Sequence, residues 1–202
     1  HGPVVLCDVG ANVACRPQHL HQYGVMSSIY SQRICGIASP RVGLLSIGEE
    51  DAKGNDLVRS TRELLRDDPN VNFIGNVEGR DLFRGTCDVM VCDGFVGNVI
   101  LKLMEGMIGG LVSGLLDELK TLAGERIEVM RSAAKGLMTR FDFNEYGGAP
   151  LLGVGGICII CHGASDWRGF KNAVRVARQF VQCNINDQIM EFLAQGQRVT
   201  NG

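Results

Sequence analysis

CDVMVCDGFVGNVILK, residues 87–102, decides the reading of this chain. It opens on a short continuous apolar run and closes that run with Asp93–Gly94. An apolar helical pattern follows from Asn98. An apolar run with no polar alternation suits a strand buried on both faces, the habit of parallel sheets covered by helices. A glycine-bearing turn between such a strand and a helix suits a ligand at the strand's carboxyl end.

The same grammar recurs on both sides. VVLCDV (4–9) reads as a first strand, RVGLLSIG (41–48) as a second and VNFIGNV (71–77) as a third. CDVMVCDG (87–94) is then the fourth and ICIICHG (157–163) a fifth. Helical patterns fill the intervals: from Pro17, suited to a first helical turn, to about Ile34, from Asn55 to Arg66, and from Asn98 to about Leu122. Two more run from about Glu125 to Thr139, and from about Trp167 to near Gln195. Strands alternating with amphipathic helices predict an α/β fold with a mostly parallel sheet and helices on both faces. The 202 residues are read as a single α/β unit, 1–202, with a helical pair at about 98–139.

Composition narrows the function. A formal net charge of −2 gives no electrostatic reason to expect nucleic acid as a partner. Eight cysteines are too sparse for a disulfide scaffold, and several sit in apolar runs where a thiol acts as a small hydrophobe. That usage suits a reducing, intracellular compartment.

Each strand ends in a polar, glycine-containing tail: DVGAN (8–12), SIGEEDAKGN (46–55), GNVEGRD (75–81), CDGFVGN (92–98) and CHGAS (161–165). Glycine lets backbone N–H groups approach an anion, and a following helix N-terminus favours negative charge. Any one of these loops can equally be an ordinary turn. Five at one sheet edge point to phosphate or another small anion. No Walker A loop and no G-x-G-x-x-G is present, so nucleotide binding lacks its usual signature.

Cys158, Cys161 and His162 spell C-x-x-C-H, the spacing of covalent haem attachment. In a strand, residues three apart face opposite sides, and histidines occur elsewhere only at positions 1, 19 and 21. The segment is read as two buried cysteines ahead of a histidine at the active edge, not as a haem or zinc site. His162 could also be a hydrogen-bonded strand-end residue without chemistry.

The strings DVGAN, IGEEDAKGN (47–55), NFIGNVEGRDLF (72–83), VCDGFVGNVILK (91–102), EYGGAPLLG (145–153) and HGAS (162–165) follow in this order. They resemble the bacterial phosphate acyltransferase family of phospholipid synthesis, the PlsX type, over essentially the whole chain. The resemblance implies transfer of a long-chain acyl group from acyl carrier protein to inorganic phosphate. It implies a three-layer α/β/α fold akin to phosphate acetyltransferase and the isocitrate and isopropylmalate dehydrogenases. It further implies a cytoplasmic homodimer, peripheral on the membrane, needing no metal or organic cofactor. An N-terminal portion with ADAMGGD-like and GNTGA-like loops belongs to the family and is not found here, so the chain is expected to be the C-terminal larger part of such a protein. Rival readings stay open: a scaffold-like, membrane-associated fragment, or a short-chain phosphate acyltransferase using coenzyme A. A decarboxylating dehydrogenase of the same superfold would need metal-binding aspartates and an arginine-rich motif, and neither is seen.

Phosphate near neutral pH is partly dianionic, and a thiolate with a pKa of roughly 8.5 leaves without strong acid help. The task is positioning and oxyanion stabilisation. Under the resemblance, Asp93, Gly94, Gly97 and Asn98 form a phosphate cradle and Lys102, one helical turn on, supplies the cation. Lys102 could equally be an ordinary exposed helix lysine. Asn98, Lys102 and His162 are the catalytic candidates, His162 as donor to the oxyanion or leaving sulfur. Asn12, Asn76, Glu78 and Lys53 are further substrate-binding candidates, with Gly147 and Gly148 at the rim of the acyl entrance.

Two helix faces complete the reading. Apolar residues at 100, 103, 104, 107, 108, 111, 112, 115, 116 and 119 follow helical spacing, broken by Gly106, Gly109, Gly110 and Gly114. Ile100 to Met104 are expected on the sheet. Ile108, Leu111, Val112 and Leu115 are expected at a dimer contact or an exposed apolar tip, with membrane contact through 104–119. Arg168, Lys171, Arg175 and Arg178 form a basic stripe, a candidate dock for acidic acyl carrier protein or simply a solvated face.

Overall fold

A computed structural model of the chain describes residues 2–122, 132–133, 135–136, 139 and 142–199. The chain divides into two compact units, one of His1–Asn98, Leu151–Cys158 and Gln179–Gly202, the other of Val99–Pro150 and Ile159–Arg178.

The first unit holds β1 (Val5–Cys7), α1 (Pro17–Arg33), β2 (Val42–Leu45), α2 (Asp56–Asp67), β3 (Phe73–Val77), a 3₁₀ turn (Gly79–Phe83) and β4 (Val89–Val91). The four strands form one parallel sheet in the order β1-β4-β2-β3. This is the α/β class, a parallel sheet flanked by helices, in keeping with the three-layer expectation. The apolar runs explain the order's stability. Val42, Leu44, Val89, Met90 and Val91 are fully buried, and each such side chain taken from water contributes about 1.5–3 kcal/mol.

Helix α1 packs on β1 and β4 and beside α2. Its Gly24 is there because a Cβ would stand 2.8 Å from the Leu65 side chain of α2. Helix α2 is capped by Asn55, whose carboxamide oxygen accepts from the Val58 N–H at 2.9 Å, the usual service of asparagine at that position.

Helix α3 (Gly94–Leu122) starts four residues before the expected Asn98. Asp93 is the reason: its Oδ1 accepts from the N–H groups of Phe95 at 3.0 Å and Val96 at 2.9 Å. The second unit continues with α4 (Phe143–Tyr146), β5 (Ala149–Pro150), β6 (Ile159–Ile160) and α5 (Trp167–Gln182), whose residues from Gln179 belong to the first unit. Helix α6 (Ile185–Val199) returns to the first unit and packs on α1.

Four expectations need correction. The fifth strand is not a central one: only Ile159–Ile160 is extended, paired antiparallel with Ala149–Pro150 in a separate two-stranded ribbon. Cys158 is exposed and Cys161 half-buried, so the pair is not buried. Of the first turns of α3, Leu103 is 63% exposed while Ile100, Leu101 and Met104 are half-buried, and Val112, expected at an exposed tip or dimer contact, is buried. The last helical stretch breaks at Asn184, which takes φ +48°, a left-handed conformation that asparagine tolerates and that ends α5. The expected helix over 125–139 lies largely outside the described residues.

Candidate active site

The sheet order does what the sequence could not show. β4 inserts between β1 and β2, so the loops after β1 and β4 meet at one edge. The ladder runs past the strands: Asp8 N–H donates to the Cys92 carbonyl at 2.9 Å, and Cys92 N–H to the Cys7 carbonyl at 2.7 Å. Beyond that, Gly94 N–H donates to the Asn12 carbonyl at 3.0 Å.

Asp8 is the hub of this joint, and the sequence reading did not single it out. It is 6% exposed. Its Oδ1 accepts from Gly10 and Ala11 N–H, each at 2.9 Å, and Oδ2 from Asn12 N–H at 2.8 Å. An aspartate followed by Val-Gly-Ala-Asn is the available signal, since such a carboxylate can gather its own downstream amides.

The glycines of the neighbouring turn make the approach possible. A Cβ on Gly97 would lie 1.8 Å from the Asp8 carbonyl oxygen, and one on Gly94 2.7 Å from the Asn12 carbonyl oxygen. Gly10, at φ +131°, brings its backbone against the Asn98 carboxamide, whose Cγ would lie 3.5 Å from an added Cβ. Asn12, Asp93, Gly94, Gly97 and Asn98 are thus brought together within the first unit.

Most of the amides there are engaged by protein carboxylates, Asp8 for the first loop and Asp93 for the α3 N-terminus. The two loops are thus held by carboxylates of the chain itself. Asn12 Nδ2 lies 3.3 Å from His19 Nδ1 and 3.4 Å from the Tyr23 hydroxyl. Burial raises the Tyr23 phenol's pKa, so it stays protonated at neutral pH. Burial likewise pushes the Cys7 thiol, beside this hub, up to about 11.

Asn76 and Glu78 sit farther along the edge, at the end of β3. Asn76 Nδ2 donates to the Glu50 carbonyl at 3.0 Å and so ties down the 46–55 loop, while its buried Oδ1 has no hydrogen-bond partner among the described residues. It lines a cavity of about 440 Å³ with Asp81, Arg84 and Thr86. Glu78 pairs with Arg80 at 3.1 Å. Lys53 is exposed.

In the second unit, Lys102 Nζ is held by Glu105 Oε2 at 2.9 Å. His162 is exposed, and its Nδ1 accepts from the Ala164 N–H at 3.1 Å. Gly147 and Gly148 have a packing reason. At φ +86° and +111°, their added Cβ atoms would stand 2.3 Å from Asn172 and 2.5 Å from the Ile160 carbonyl oxygen. Asn144 fastens the same segment, its Oδ1 accepting from Asp166 N–H at 3.1 Å. Among the described residues no three His, Cys, Asp or Glu side chains gather as a metal set.

Comparison with known proteins gives this edge its context. The family model described as "Fatty acid synthesis protein" matches residues 1–188. A phosphate acyltransferase of Nitratidesulfovibrio vulgaris (strain DP4) is 48% identical over 98% of this chain and 58% of its own length. One from Heliobacterium modesticaldum is 52% identical over 95% of this chain and 58% of its own. One from Nostoc sp. is 48% identical over 93% and 55%. The chain therefore spans less than two thirds of the length of these relatives. Matched by the family model from the first strand into the last helix, the chain belongs to the fatty acid synthesis protein family.

Proposed function

We propose that this chain serves, in the full protein, to transfer a long-chain acyl group from acyl carrier protein to inorganic phosphate. The observation that carries the reading is the joint between the loops after β1 and β4. It fixes Asn98 beside Gly10 at the sheet edge where α/β proteins bind ligands. The similarity to relatives named phosphate acyltransferase supports the reaction class.

In this reading a phosphate oxygen attacks the thioester carbonyl, the tetrahedral oxyanion collapses, and the carrier's thiolate leaves. Acyl phosphate forms as the carbon–sulfur bond breaks. Asn98 and Lys102 hold the phosphate, and His162 donates to the oxyanion or the departing sulfur. Asp93 lines the phosphate cradle while its Oδ1 holds the start of α3, and Asp8 keeps the first loop in place. Gly94 and Gly97 permit that contact; Asn12 braces it through His19 and Tyr23. Asn76, Glu78 and Lys53 shape the outer end of the edge, and Gly147 and Gly148 set the rim. The Lys102–Glu105 pair is exposed, and such pairs are worth about 0–1 kcal/mol, so phosphate can compete for the lysine.

The apolar side of α3 belongs to the same proposal. Val99, Leu103, Met107, Leu111 and Leu115 recur every fourth residue, and all are exposed. The helix over Gly94–Glu118 is long and apolar enough, by length and composition, to cross a membrane. We read 104–119 as a peripheral membrane contact beside a homodimer interface, in a cytoplasmic protein.

The test is formation of acyl phosphate by the full chain, trapped as a hydroxamate, from acyl-acyl carrier protein and phosphate. Product that depends on both substrates supports the reading. Thioester consumption without acyl phosphate refutes it.

A further inference from the structure

Helix α5 (Trp167–Gln182) has two apolar faces. One is buried, through Ala173, Val176 and Phe180. The other is open: Trp167 is 71% exposed, Phe170 59% and Val174 71%. Their 3-4 spacing is that of a helix-pairing seam, narrower than the broad face a helix turns to a core. Lys171, Arg175 and Arg178 run alongside, roughly 70° around the helix from that seam. All three cations are exposed. Among the described residues none of them has an ion-pair partner. Arg168 stands apart, engaged by Asp142, Glu145 and Asp166.

We infer that this face of α5 docks an acidic amphipathic helix of a partner protein, its apolar ridge on Trp167, Phe170 and Val174 and its carboxylates on Lys171, Arg175 and Arg178. The charge pattern selects the occupant. Helix α5 contains no acidic residue, so a second copy laid on it would set cations against cations. A lipid surface favours a wide apolar face opposite a charged one. Here the seam is narrow, the cations adjoin it, and the opposite side is buried. A helix with an apolar ridge and flanking carboxylates satisfies both rows at once. The inference rests on the proposed reaction for its probe, acyl carrier protein, the acidic acyl donor.

The experiment uses the full chain with the double substitution Lys171→Glu and Arg178→Glu, and a neutral pair, Lys171→Gln and Arg178→Gln. Association with acyl carrier protein is followed at low and physiological salt, and turnover is measured with carrier-bound and with small soluble acyl thioesters. Charge reversal should weaken carrier binding by about tenfold or more and flatten the salt dependence of association. The neutral pair should give a smaller loss of the same sign. Kinetics with the small thioester should stay as in the parent. Unchanged carrier binding in both variants overturns the inference. So does unchanged carrier binding with lost affinity for phosphatidylglycerol vesicles, or with an altered oligomeric state. Absence of acyl phosphate from either donor would refute the proposed reaction, while the binding measurement still decides the docking face.

Discussion

Gly97→Ala and Gly106→Ala make the same chemical change on one helix and should act in opposite directions. At Gly97 an added methyl would sit 1.8 Å from the Asp8 carbonyl oxygen and 2.9 Å from the Cys92 sulfur. Ordinary carbon–oxygen contact needs well over 3 Å, and the obstacle is backbone, which cannot swing aside. The first turn of α3 would have to move away from β1, opening the Gly94 N–H to Asn12 carbonyl bond. Overpacking of this sort costs about 1–3 kcal/mol, and loss of a buried backbone hydrogen bond adds about 1 kcal/mol. Among the described residues Gly106 has nothing within 4 Å of such a methyl. Alanine there should stabilise the helix by about 0.5–1 kcal/mol. Urea unfolding of the full chain and both variants measures the difference. We expect Gly97→Ala to lose at least about 2 kcal/mol and Gly106→Ala to gain. A Gly97→Ala protein as stable as its parent would refute the close joint between the two loops. A large loss at Gly106 would mean that this side of α3 is packed in the assembled protein.

Three further outcomes are expected. Cys158, exposed, should be alkylated promptly at pH 8, while Cys87 and Cys92 are protected by burial, which holds the Cys87 pKa at about 11; mass mapping after brief iodoacetamide treatment would show the order. Asp88, hydrogen-bonded and paired to Arg41 at 2.9 Å, has its pKa lowered by that contact. Its stabilisation is complete above the ordinary carboxylate pKa, near 3.9, and is lost as pH falls through the lower folded value; Asp88→Asn should thus cost about 1.5–3 kcal/mol at pH 7, with the gap from parent closing in acid denaturation. Changing Leu111 and Leu115, both exposed, to Glu should leave far-UV circular dichroism and thermal unfolding intact and reduce vesicle binding or dimerisation, and retention of both would return this stretch to ordinary surface.

The parallel sheet was legible because its strands are continuous apolar runs. Val89, Met90 and Val91 are buried on every side, as a short apolar run in a strand covered on both faces should be. The same logic misread ICIICHG. Only its Ile159 and Ile160 are extended, in a two-stranded ribbon with Ile160 53% exposed, because their partner is the antiparallel Ala149–Pro150 segment and not the sheet. Periodicity also ran through Asn184, where one left-handed residue divides the helix. At the site, the motif glycines were visible, but their purpose was not. Gly94 and Gly97 carry a close approach that exists only because β4 lies beside β1, a long-range fact absent from local spacing. Asp8 went unremarked for the same reason: its three amide contacts arise from the loop's conformation.

The central claim is that the edge beside Asn98 handles phosphate during acyl transfer. Steady-state kinetics of Asn98→Ala in the full chain, varying phosphate at saturating acyl-acyl carrier protein, tests it most directly. The expected result is a fall in kcat/KM for phosphate of at least tenfold, about 1.4 kcal/mol of lost transition-state binding, with the KM for the thioester unchanged. Parent kinetics for phosphate in that variant would contradict the claim.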